Sequence, residues 1–198
     1  MKRARLFQHT SMLAILLILS LGGCAYIDQN LRVDPRPTVY ASDIGKGKKV
    51  ALRVLDDRDD EVIGKRGATQ AFAAAKITTD QDLADVLRNV FMDGMRKRGF
   101  EPVGPTDSSL SLKVELRTLA YDTSMGLWTG GNLGKAAVKV VATKPSGETY
   151  ENTYRGQEEV RTVWIGSQET NAKVVNEALS GALDKAFADT ALWEFLAG

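Results

Sequence analysis

The sequence predicts an α+β domain with a mostly antiparallel sheet. Its elements run strand–helix–three-strand meander–helix, and two helices pack on one face. Three observations predict this. Residues 109–121 and 135–143 alternate apolar and polar side chains, and a third extended run, 148–164, follows a turn. Residues 80–98 and 167–187 instead place apolar residues at i, i+3 and i+4, the period of an amphipathic helix. Turn residues punctuate these segments, with Gly99 after the first helix and Lys144-Pro145-Ser146-Gly147 between two strands.

The chain opens on Lys2, Arg3 and Arg5 with no acid among them, then runs through apolar Met12–Leu21. A signal's apolar region needs about 7–15 residues and a membrane-spanning helix about 20, so residues 1–23 read as a cleaved signal. The stretch ends in Leu21-Gly22-Gly23-Cys24. These four residues resemble the lipobox of bacterial lipoproteins. That resemblance implies cleavage before Cys24, a diacylglyceryl thioether on its sulfur and an acylated amine, with palmitate as a typical acyl group. Each buried methylene contributes about 0.8 kcal/mol, and two or more chains anchor stably where one does not. In enteric lipoproteins an Asp after the cysteine retains the protein in the inner membrane. Ala25 stands here, which implies the outer membrane, on its periplasmic face.

Composition narrows the chemistry. Three of the 26 basic residues and none of the 25 acidic ones lie in residues 1–23, so the mature chain carries 23 against 25. Such a near-neutral chain argues against nucleic acid as a partner. The single histidine, His9, lies in the signal, and the single cysteine is Cys24. Cys/His metal sites, disulfides and Ser-His or Cys-His nucleophiles are therefore excluded from the mature domain. No cofactor and no metal site is expected.

Residues 24–47 read as a lipidated flexible tether and 48–198 as one periplasmic domain. The tether carries Asp34-Pro35-Arg36-Pro37 and ends in Gly45 and Gly47. Fully extended, it would span about 75–80 Å at 3.3–3.6 Å per residue. Part of it could equally pack on the domain as an edge strand, where proline is accepted.

Lys49–Leu55 is the first strand, with Val50, Leu52 and Val54 alternating. It runs into Asp56, Asp57, Asp59, Asp60 and Glu61 around Arg58. A calcium loop starting at Asp57 would need Gly at 62, where Val62 stands. The bland alternative is a solvated turn with carboxylate–guanidinium pairing. Residues 71–77 suggest a second strand. Asp80 is the expected N-cap of the first helix, whose stripe is Leu83, Val86, Leu87, Val90, Phe91 and Met95. Residues 100–103 return into the sheet.

In the meander, Leu110, Leu112, Val114, Leu116 and Ala120 face inward on the first strand, and Ala136, Val138, Val140 and Ala142 on the second. The third strand is expected to bulge near Gly156. Between the first two lies the glycine-rich loop 122–134, which has no phosphate-loop pattern but carries Met125, Leu127 and Trp128. These apolar residues either tuck under the domain or contact a partner. Ser167 is the expected N-cap of the last helix, and residues 192–196 close over the sheet edge.

The lipobox, Val54-Leu55-Asp56-Asp57-Arg58, Ile63-Gly64-Lys65-Arg66, Lys97-Arg98-Gly99-Phe100 and the C-terminal helix together resemble the YajG family of bacterial lipoproteins. The layout is also similar to lipoprotein activators of penicillin-binding proteins and the curli-secretion lipoprotein, a likeness of fold only. The resulting expectation is a lipid-anchored outer-membrane lipoprotein, not an enzyme. It would be held to the membrane through lipid on Cys24 and would bind an unidentified envelope protein. The alternative is a glycan or lipid carrier, or an envelope enzyme working with the carboxylates at 56–61.

Overall fold

The computed structural model describes residues 27–66, 75–125, 130–162 and 167–198. Among these residues eight strands form one sheet: β1 (Gln29–Asn30), β2 (Lys49–Asp56), β3 (Gly64–Arg66), β4 (Ala75–Thr78), β5 (Glu101–Val103), β6 (Ser111–Met125), β7 (Gly130–Thr143) and β8 (Thr149–Thr162). Among the described residues three helices accompany them: α1 (Leu83–Lys97), α2 (Gln168–Ala188) and α3 (Thr190–Ala197).

The sheet is mixed, which corrects the expectation of a mostly antiparallel one. Only β3–β4, β6–β7 and β7–β8 pair antiparallel. The other four pairings, β1–β4, β2–β5, β2–β6 and β3–β6, are parallel. The cause lies in the connections. The chain leaves β2, passes through β3, β4 and α1, and re-enters beside β2 as β5. A crossover through a covering helix brings the chain back to the end where it started, so the returning strand is parallel. It then steps to the other side of β2 and starts β6 from that end again. The meander itself is antiparallel, as its alternation requires.

Strand β6 is the spine. Along one edge it pairs with β7 over its whole length. Along the other it pairs first with β2, from Ala51↔Ser111 to Asp56↔Leu116, and then with β3 at Gly64↔Tyr121. The acidic turn is the excursion between those two strands. A bulge lies in β6 between Leu116 and Thr118, not in β8, whose register against β7 is unbroken. The extra residue shifts the inward phase. Leu112, Val114 and Leu116 point inward before the bulge and Leu119 and Tyr121 after it, while Ala120 does not join the core.

Gly156 has another task. A Cβ built there would stand 1.9 Å from the carbonyl oxygen of Ala178, and one on Gly134 2.4 Å from that of Val174. Helix α2 lies directly on these two glycines. It buries Val174, Val175, Ala178, Leu179, Ala182, Leu183, Ala186 and Phe187. Phe187 meets Phe91 of α1 at 5.1 Å and stacks on Trp193 at 5.7 Å, with the rings 7° from parallel. The residues expected to close the sheet edge form the third helix, α3, with Leu192, Trp193 and Leu196 buried.

The caps follow the sequence with one adjustment. Asp82 rather than Asp80 caps α1, accepting from the Asp85 N–H. Ser167 caps α2 by accepting from the Thr170 N–H. Gly99 takes the left-handed turn after α1 at φ +80°.

The segment read as a tether lies on the domain from Ile27 onward. Leu31 and Val33 are each 1% exposed. The Asp34, Arg36 and Thr38 N–H groups donate to Asn176 Oδ1, Ser180 Oγ and Asp184 Oδ1, at 2.8, 2.9 and 2.6 Å. Two residues of extended chain advance about 6.6 Å and four helical residues about 6.0 Å, so every second strap N–H meets every fourth helix residue. Gln81 clamps Val33 from the other side, accepting its N–H at 2.6 Å and donating to its carbonyl at 3.2 Å. Only Gln29 and Asn30 pair with a strand. The rest is not an edge strand: residues 34–38 strap along α2, and the Ser42, Gly45 and Gly47 N–H groups donate to the Lys97, Arg98 and Gly99 carbonyls at the end of α1.

Candidate functional site

The candidate site is the end of the sheet where the chain arrives. Gln29, Ile77, Gly64, Tyr121 and Gly134 lie on one level, each paired with the next. Strand β1 runs opposite to β6. Traced backward from Gln29, the chain therefore heads toward the Met125↔Gly130 end of the β6–β7 hairpin. Ile27 stands there 61% exposed, one of two exposed large apolar side chains among the described residues.

A buried polar cluster ties this end together. The Tyr121 hydroxyl lies 2.8 Å from Asn132 Oδ1 on β7 and 2.7 Å from Asn171 Oδ1 in the first turn of α2. Asn171 in turn donates to Gln29 Oε1 at 2.8 Å. The hydroxyl has one proton and so donates to one oxygen at a time. Tyr121, Asn132 and Asn171 are all buried. Buried polar groups demand partners, so the cluster specifies one seating of hairpin, helix and arriving strand. Asn30 C=O also accepts from Gln168 at 2.8 Å.

The acidic turn is internally paired. Arg58 binds Asp56 in bidentate fashion, Nε to Oδ1 and Nη2 to Oδ2, both at 2.8 Å. Asp60 accepts the Val62 N–H at 2.8 Å. Arg117, beside the β6 bulge, pairs with Asp57 and, at 3.2 Å, with Glu115. Glu115 also holds Lys113 at 2.7 Å. The bond from Lys113 is the main reason its carboxyl lies below its ordinary value, against a smaller opposing effect of burial. Among the described residues no cluster of carboxylates is arranged to hold a metal ion.

A second polar cluster was not visible in the sequence. Asp189 Oδ2 accepts from Tyr154 at 2.5 Å, Tyr150 at 2.7 Å and Asn152 at 3.2 Å. Its other oxygen caps α3 through the Leu192 N–H. Burial works to raise this carboxyl, but the donors outweigh it and the net shift is downward. Burial, then the bond to Asp189, push Tyr154 well above the usual phenol range. The cluster fixes the joint between α2 and α3 on β8. A carboxylate held ionised by three donors is a poor general acid. The alternation Tyr150-x-Asn152-x-Tyr154 placed three donors on one face of the strand and was the available signal.

Of the site residues expected from the sequence, Leu21, Gly22, Gly23, Cys24, Leu127 and Trp128 lie outside the described residues. Met125 ends β6 opposite Gly130. None of the described helices is long and apolar enough to cross a membrane.

Comparison with known proteins bears on this arrangement. A family described as uncharacterized lipoprotein matches residues 35–197. The chain belongs to this lipoprotein family. The lipoprotein is 26% identical over 183 residues to the uncharacterized lipoprotein YajG of Escherichia coli K12, covering 92% of this chain and 93% of the relative. The YajG of a second strain, Escherichia coli O6:H1, matches to the same extent. Its fold is similar to a crystal structure from Xanthomonas campestris at TM-score 0.52 and 13% identity, covering 85% of this chain and 95% of that one. The family match spans the strap from Pro35, strands β2 to β8 and helices α1 to α3, and leaves out β1.

Proposed function

We propose that this lipoprotein is anchored in the outer membrane through lipid on Cys24. There it acts by binding another envelope component rather than by catalysis, with the domain held close against the bilayer. One observation carries the reading: the strap is zipped to α2 and enters at the hairpin end. Cys24 is only three residues from Ile27, a reach of about 10 Å when extended. The 75–80 Å leash reduces to this short link. The domain stands on the membrane with the β6–β7 hairpin end, Ile27 and the first turn of α2 directed toward it. Ala25 supports the outer membrane as the destination. A mature chain without histidine or free thiol, and an acidic turn whose Asp56 and Asp57 are already paired with Arg58 and Arg117, support a binding role.

Two measurements test this. Cys24→Ser leaves the protein as a soluble or uncleaved form by intact mass and fractionation; normal acylation of that variant would refute the anchor. In the lipidated protein on vesicles, a fluorophore on Asp122→Cys is quenched by brominated lipid and one on Ser146→Cys is not. The two positions lie toward opposite ends of the meander, roughly 35–40 Å apart at about 3.3 Å per strand residue. Equal quenching, or quenching at Ser146 alone, would refute the orientation.

A further inference from the structure

We infer that the open edge of β2 beyond β5 is a docking site for an extended peptide of a partner protein, added as a strand with an acidic side chain beside Arg53. Strand β5 pairs with β2 only from Lys49↔Glu101 to Ala51↔Val103. At Gly104-Pro105 the chain turns away. The β2 groups directed toward β6 are those of odd-numbered residues: Ala51 N–H binds Leu110 C=O and Asp57 N–H binds Leu116 C=O. The even residues point the other way, as the bond from Glu101 N–H to Lys48 C=O confirms. Past Val103, the Leu52 carbonyl and both backbone groups of Val54 therefore face a notch with no strand beside them among the described residues.

The notch is a groove of about 550 Å³ lined by Leu52–Leu55, by Arg88 and Met92 of α1, and by Pro102–Pro105. An added strand would place one set of side chains under Met92, beside Leu52 and Val54. The alternate set would stand on the open face beside Arg53.

Charge selects the occupant. On that open face β5 already sets Glu101 beside Lys49, with Nζ and Oε1 3.9 Å apart. The next cation along β2 is Arg53. It is paired in register with Lys113, a like charge, and has no ion-pair partner among the described residues. Like charges directly opposite are unfavourable. Lys113 is itself held by Glu115, so an acid on the added strand beside Arg53 repeats the Lys49–Glu101 pattern and supplies the partner that Arg53 lacks. The outer edge of β5 is different. Glu101 bonds toward β2, so Pro102 faces outward and offers no donor, as guarded edges do. Strand addition gives affinity through main-chain bonds and specificity through alternate side chains.

The test uses the mature chain with Cys24→Ser and two capped seven-residue peptides, one alternating valine with glutamate and one alternating valine with lysine. Amide exchange is followed by NMR. The glutamate peptide is expected to slow exchange of the Val54 N–H at least tenfold, and the lysine peptide to have little effect. Arg53 is exposed, so Arg53→Glu keeps the fold; it weakens the glutamate peptide about tenfold and lets the lysine peptide protect Val54. Three results would each overturn the inference: no slowing at Val54 with millimolar glutamate peptide, binding that ignores the charge at position 53, and protection of Val54 that rises with protein concentration alone. The last would mean that a second copy of the chain fills the notch.

Discussion

Replacing Gly156 by alanine tests how α2 is seated. The new Cβ would lie 1.9 Å from the Ala178 carbonyl oxygen and 2.6 Å from the Ala182 nitrogen. Both are helix backbone atoms, so no side chain can rotate away. Even a short C–H···O contact needs about 3.3 Å, so α2 must retreat by roughly 1.4 Å or the strand must bend. A gap of 0.5–1 Å already forfeits about a quarter to a half of a dispersion contact. The loss would spread over Val174, Val175, Ala178, Leu179, Ala182 and Leu183, all 0–1% exposed. Overpacking of this kind costs about 1–3 kcal/mol and sometimes more. The expected loss is about 3 kcal/mol, or roughly 6–12 °C in Tm for a domain of this size. Urea denaturation measures it. Gly181→Ala is the control on the facing side of the same contact: its Cβ meets only the Gly156 Cα, at 3.9 Å. There the gain in helix propensity should stabilise by about 0.5–1 kcal/mol. A Gly156→Ala protein within about 0.5 kcal/mol of the parent would refute the close seating of α2.

Leu112 is wholly buried on β6, so Leu112→Ala should cost about 2–5 kcal/mol in the same assay. Removing residues 25–46 strips Leu31 and Val33 from the core and orphans the α2 groups that hold the strap. The shortened protein should unfold at clearly lower urea than one starting at Ala25, since each apolar side chain contributes about 1.5–3 kcal/mol. Equal midpoints would show that the strap adds nothing. Asp189 has a carboxyl pKa below its unfolded value, so its contribution is present above the unfolded pKa and fades as pH falls through the folded one. Asp189→Asn should destabilise by about 1.5–3 kcal/mol at pH 7. The gap between variant and parent should then narrow below about pH 4, the ordinary carboxylate range. A gap that stays constant down to pH 2 would rule out the ionised carboxylate as the clamp.

Local chemistry was legible in the chain itself. The Ser167 cap, the meander, the left-handed Gly99 and the pairing of acids around Arg58 follow from neighbours a few residues apart, which is the range over which propensity, capping and alternation act. The direction of strand pairing was not legible. Alternation gives a strand its faces but says nothing of its neighbour, and β2 joins β6 across more than fifty residues. The bulge in β6 shifted the inward phase at a point where Thr118 and Ala120 gave no sign of it. The strap was written in two halves, Leu31-x-Val33 in one place and the i, i+4 row Asn176, Ser180, Asp184 in another. Each half reads as solvated chain or polar helix face until they are side by side. The same holds for Gly134 and Gly156, which look like weak points in strands and become the floor of α2. The resemblance of Leu21-Gly22-Gly23-Cys24 to a lipobox, and a chain with no histidine or cysteine after Cys24, were read from sequence alone, because they are local and compositional. At which end of the sheet the chain arrives, and which strand edge stays open, only the tertiary structure decided, because both depend on contacts between residues far apart in the chain.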